Sequence, residues 1–237
     1  MVNWFKRGSK RTDVPKIRPR STDQARKVDL AELTPPLLHF LGQASYLQLT
    51  LFENLSKAVA NAPTTDSKES LSRVASLSLA KHHALTAQIE RQGNPPGAVM
   101  EPFTAAIDTF QRSTQGADWF ETVLVCYLTA GFLDDFYVRL AAGLPGDYAE
   151  KVRSALEADS GSNRLADELR RGIEANPRLA SRLAMWGRRL VGDTMLVARA
   201  GLATSANHDS DEARIEPVFT ELIAAHTRRM DALGLTA

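Results

Sequence analysis

The chain is short of the residues that build disulfides, sheets and membrane spans. It has one cysteine, Cys126, so no intrachain disulfide can form, and a cytoplasmic setting is the expectation. No stretch approaches the roughly 18 consecutive apolar residues that a membrane-spanning helix needs. The opening MVNWFKRGSKR lacks the apolar run of a signal peptide, so the expectation is a soluble protein. Strand-like alternation is absent and β-branched residues are sparse, which argues against a sheet. There is no Gly-x-x-x-x-Gly-Lys loop and no dinucleotide fingerprint, so phosphate-loop and nucleotide-cofactor chemistry have no sequence support. The lone cysteine and the scattered serines form no nucleophile signature.

What is present is a 237-residue chain, 43% hydrophobic and 24% charged, enough to bury a large core in one domain or two small ones. Its net charge of +1 hides an asymmetry. Residues 1–27 hold nine Lys/Arg against two Asp, a balance of +7, while the remainder holds 20 basic against 26 acidic residues, a balance of −6. With Pro15, Pro19 and no helical period, residues 1–30 read as a flexible basic arm preceding a helical domain at 31–237. Such an arm, with Trp4 and Phe5 to stack or insert, suits phosphates of tRNA, another RNA or a membrane surface, or it is simply a solvated tail.

From residue 34 the pattern is helical nearly throughout. Thr34-Pro35 predicts a capped start for a helix over 34–61, and Asn94-Pro95-Pro96-Gly97 ends a second over 67–93. Asp118 caps a third over 118–142, closed by Gly143-Leu144-Pro145-Gly146. Further helices are predicted over 147–175, 176–201 and 211–233, with Gly234 as a stop. Short loops and one long connection, 94–117, predict an all-α antiparallel four-helix bundle of ferritin-like connectivity with two additional C-terminal helices.

Polar residues interrupt the apolar stripes of the first four helices. Glu53 breaks Leu51-Phe52-Glu53-Asn54-Leu55, in a helix otherwise apolar almost all round. His82 continues Leu71, Val74, Ser78 and Leu85, while His83, about 100° away, should be wetter. Asp134 continues Leu124, Tyr127 and Gly131, and Asp159 with Ser162 continues Val152 and Ala155. Each could be an ordinary hydrogen-bonded core residue. Taken together, three carboxylates at one depth would be costly to bury without a cation or shared protons. Lys81 is one candidate for that charge, although the His82 stripe turns it about 100° aside.

The order Glu53, Leu79-x-x-His82, Asp134, Asp159-x-x-Ser162 resembles the Glu, Glu-x-x-His, Glu, Glu-x-x-His pattern of ferritin-like metal bundles. The wording LAKHHAL, Asp134-Asp135-Phe136 and Ala158-Asp159-Ser160-Gly161-Ser162 resembles the tRNA 2-methylthio-isopentenyladenosine hydroxylases, over about residues 35–175. That likeness is to a divergent actinobacterial branch, best described as hydroxylase-like. It implies a bundle binding two irons that activate dioxygen to hydroxylate an isopentenyl group on a tRNA base. Glu53, His82, Asp134 and Asp159 would be the metal ligands. The sequence departs from the pattern at Leu79, where a Glu is wanted, at Ser162, where a His is wanted, and in using Asp for Glu twice.

Two functions follow as expectations. One is a hydroxylase-like non-haem iron monooxygenase with one or two irons. The other is a bundle that lost its metal and serves as a binding or regulatory partner. Beyond the bundle, Asp193 and His226 lie on apolar stripes as a candidate buried pair or as two separately satisfied residues. Gly187 and Gly192 offer close helix approach.

Overall fold

A computed structural model describes residues 33–202 and 208–236. The arm expected at 1–30 lies outside the described residues. Nine α-helices are described: α1 (Leu37–Ala60), α2 (Thr65–Arg91), α3 (Pro96–Met100), α4 (Thr104–Ser113), α5 (Trp119–Leu140), α6 (Tyr148–Glu157), α7 (Ser162–Ala175), α8 (Arg178–Ala200) and α9 (His208–Asp231). No strand occurs among the described residues. The fold is an all-α, ferritin-like bundle.

Local chemistry sets the ends of these helices. Thr64 accepts the Ser67 N–H at 3.1 Å and starts α2, and Asp118 accepts the Glu121 N–H at 2.9 Å and starts α5. Thr34 does not cap α1. Pro36 occupies that position without a side-chain bond, and the Thr34 hydroxyl donates instead to the Leu140 carbonyl at 2.5 Å, tying the chain to the end of α5.

Helix α5 is the axis. It is buried on most sides, from Val123 through Leu128 and again at Phe132, Phe136 and Leu140. The hairpin α1–α2 packs on one side and α6 and α7 complete the four-helix bundle, while α8 and α9 cover the remaining face of α5. Gly187 of α8 lets Met230 of α9 approach, since an added Cβ would stand 2.8 Å from its methyl carbon. Gly192 has open space beside it and plays no such part. The connection between α2 and α5 folds as α3 and α4 and lies against α1, pinned where the Tyr46 hydroxyl donates to Asp108 at 2.7 Å.

The helix expected over 147–175 is two helices. Asp159 accepts the Gly161 N–H at 2.8 Å across a tight turn, and Gly161 has φ +67°, in the left-handed region. A Cβ on Gly161 would come within 2.8 Å of Val74 on α2. The break therefore depends on glycine and seats the turn directly against α2.

The core divides into two apolar clusters along the bundle. One holds Phe40, Leu41, Leu85, Phe136 and Leu156, and the other holds Leu55, Leu71, Leu124, Leu165 and Leu183. Gln48 on α1 and Ser78, Lys81 and His82 on α2 lie between them in sequence, while Asp134 on α5 follows Phe132 and Leu133 within the stretch that belongs to the first cluster.

Candidate functional site

Helix α2 is covered by α1 on one side and by α6 and α7 on another, so its buried arc is wide. Lys81 and His82, adjacent in sequence and about 100° apart, are both buried. His83 is exposed. The Lys81 ammonium donates to Asp134 Oδ2 at 2.6 Å and to the Leu156 carbonyl at 2.6 Å. Only 3% of the Lys81 side chain and 14% of the Asp134 side chain remain exposed, so this is an ion pair largely removed from water.

The surroundings complete the pair. Gln48 Nε2 donates to Asp134 Oδ1 at 2.8 Å. The Ser78 hydroxyl donates to the Gln48 backbone carbonyl at 3.0 Å, with Gln48 Oε1 a further contact at 3.3 Å. Leu156 lies in the last turn of α6, where carbonyls have no helical partner and the helix end carries partial negative charge. The turn at 158–161 thus creates an acceptor for the second ammonium proton. Burial pushes the Asp134 carboxyl above its ordinary value, while Lys81 and Gln48 pull it the other way.

His82 stands beside this network. Its Nδ1 lies 2.9 Å from the Ser45 carbonyl, which can only accept, so Nδ1 carries the proton. A ligand imidazole is commonly oriented through such a bond.

The four expected ligands are not brought together. His82 and Asp134 lie at the centre of the bundle. Glu53 is exposed on α1, because the buried arc there runs through Phe40, Ala44, Leu47, Gln48 and Leu55. Asp159 is exposed in the turn, because the helix that would have carried it inward ends at Glu157. Among the described residues, no three His, Cys, Asp or Glu side chains form a group that could hold a metal ion. The donors at this depth also do not fit a pair of irons. Among the described residues there is one carboxylate, already neutralised, one imidazole and one amide, with an ammonium where an incoming cation would meet like charge.

A family model described as a ferritin-like domain of actinomycetes matches residues 35–210. The chain belongs to that family. The match spans α1 to α8, so in this ferritin-like chain α8 is part of the family domain, while most of α9 lies beyond it. No curated protein matches the chain.

Gln48 carries no signal in the sequence pattern, and Lys81 is turned aside by the stripe through His82, yet both bond Asp134. The stripe Leu71, Val74, Ser78 continues as well through Lys81 to Leu85, by steps of three and four, as it does through His82. Asp193 and His226 do not form the candidate pair. His226 Nε2 donates to the Gly187 carbonyl at 3.0 Å, and Asp193 lines a groove between α4 and α8. Burial and the nearby Arg229 charge hold His226 below its ordinary value, against the opposing pull of the Gly187 bond.

Proposed function

We propose that this chain is a metal-independent ferritin-like bundle that serves as a binding or regulatory protein. The observation that carries this reading is the Lys81 ammonium, buried inside the bundle and bonded to Asp134 and to the Leu156 carbonyl. A buried carboxylate needs a compensating positive charge. Lysine supplies it permanently and from within the chain, which leaves Asp134 no free charge to offer a metal. Gln48, a neutral amide, donates to the other oxygen of the same carboxylate.

The hydroxylase-like reading, with its resemblance to tRNA-modifying iron enzymes, keeps one favourable observation. His82 has its Nδ1–H fixed on a backbone carbonyl, leaving Nε2 as the nitrogen that could ligate. Iron there would require Lys81 to leave Asp134. In either reading the basic residues 1–27 offer phosphate contacts to an RNA.

Metal analysis of the protein purified after growth with added iron, manganese and zinc separates the two. The binding-protein reading expects less than about a tenth of an ion per chain. About one ion per chain, released by His82→Ala and retained by His83→Ala, would overturn it in favour of the hydroxylase-like reading. The arm is tested on tRNA. Its deletion should weaken binding and flatten the salt dependence, and unchanged binding would mean that the arm makes no phosphate contacts.

A further inference from the structure

The bundle has a cleft at one end, where the last turns of α1 and α4 meet the start of α5. Its volume is about 460 Å³, within the range of small-molecule sites. Two cations border it, Lys57 from the last turn of α1 and Arg112 from the last turn of α4. Among the described residues neither has a carboxylate partner, and the only side-chain bond of Arg112 runs to Thr109 on its own helix at 2.9 Å. Asp118, the one acid in the wall among the described residues, is already committed. Its Oδ1 caps α5 and its Oδ2 pairs with Arg182. Among the described residues, the positive charge of the cleft is therefore uncompensated.

Its other lining is suited to a flat molecule with polar edges. Trp119 lines the cleft with its ring fixed, because the indole N–H donates to the Ala58 carbonyl at 2.9 Å. Carboxamides of Asn61 and Gln115 stand at the rim. At the inner end Gln111 Nε2 donates to Asn54 Oδ1 at 2.9 Å. Behind that bond a second cavity, with room for about 30 Å³, shares Asn54, Gln111, Thr114 and Val125 with the cleft and is also lined by Gln48 and Leu156 of the polar layer. It is too small for more than about one water molecule, so a ligand would sit outside the Asn54–Gln111 bond.

We propose that this cleft binds a small aromatic or heteroaromatic anion, its ring in the cleft beside Trp119 and its charged group on Lys57 and Arg112. The inference rests on the binding-protein reading and names the ligand class for it. Charge selects the ligand through charge-assisted hydrogen bonds, which arginine and lysine give to carboxylates, sulfonates and phosphates alike.

The test uses 8-anilinonaphthalene-1-sulfonate as the anionic probe and N-phenyl-1-naphthylamine as the same ring system without the sulfonate, each titrated into the full chain. The proposal expects one sulfonate probe per chain, and an affinity at least about tenfold weaker in the double variant Lys57→Gln/Arg112→Gln. The neutral probe should not distinguish that variant from the parent. Both side chains are exposed, and an unchanged melting profile verifies that the variant is folded. Equal affinity of the sulfonate probe for parent and variant would overturn the proposal, as would an equal loss for the neutral probe. Either failure removes the cleft ligand and leaves the metal analysis standing, because Lys57 and Arg112 make no contact with Lys81 or Asp134.

Discussion

Replacing Lys81 with methionine keeps most of the side-chain volume and removes the charge. The variant leaves Asp134 on α5 with the Gln48 amide as its remaining partner, and it leaves the Leu156 carbonyl unbonded at the end of α6. Breaking a buried ion pair from one side costs about 3–5 kcal/mol. Because 14% of the Asp134 side chain still meets solvent, the lower end applies, about 3 kcal/mol. For a chain of this length that lowers the melting temperature by about 10 °C. In urea it moves the midpoint by about 1 M or more. The loss should depend on pH with a definite sign. Without Lys81 the Asp134 carboxyl stands further above its ordinary value, so the folded state holds a proton that the unfolded state releases, and the deficit grows as pH rises above the ordinary carboxylate range. Adding Asp134→Leu to Lys81→Met removes both charges and should restore most of the lost stability. A single variant within about 0.5 kcal/mol of the parent, or a double variant no better than the sum of the singles, would mean that Lys81 does not compensate Asp134.

Three further outcomes follow from other parts of the molecule. His226 is held below its ordinary 6.5, so the unfolded chain takes up the proton first, and stability should fall as pH drops below about 6.5 until the folded value is reached; urea midpoints at successive pH values should show a shallower acid slope in His226→Gln. Gly161→Ala places a Cβ at φ +67° and 2.8 Å from Val74, and should cost about 2 kcal/mol by denaturant titration; a neutral result would mean the turn is not pinned against α2. Burial pushes the Cys126 thiol up to about 12, so a thiol-specific disulfide reagent should label it only as fast as the protein opens, with fast labelling restored in urea.

Sequence legibility varied with how local the determining chemistry was. Asp118 capping α5, the stop at Asn94-Pro95 and the exposed His83 follow from neighbouring residues and period, and the structure reproduces them. The break before α7 depends on a long-range fact, the close approach of Gly161 to Val74, and periodicity continues smoothly across it. Helix α1 is apolar almost all round, so its sequence gives no unique inward phase, and Glu53 faces solvent. Lys81 was undervalued because a stripe through Ser78 can continue at 81 or at 82, and only the packing of both α1 and α6 against α2 buries both. The fold was therefore readable, and so were two members of its central polar layer, His82 and Asp134. The partner that changes the chemistry of that layer was not.

On the reading proposed above, a lysine ammonium does inside this bundle what a metal ion does in a metal-binding one. The most direct test is the urea midpoint of the parent protein with EDTA and with saturating ferrous iron, manganese or zinc. The midpoint should be the same in every case, since Lys81 already compensates the carboxylate. A ligand present at a hundredfold excess over its dissociation constant adds about 2.7 kcal/mol to the stability of a protein that binds it. A metal-dependent rise of that order, abolished by His82→Ala or Asp134→Asn, would mean that this pair holds a metal and that Lys81 does not replace one.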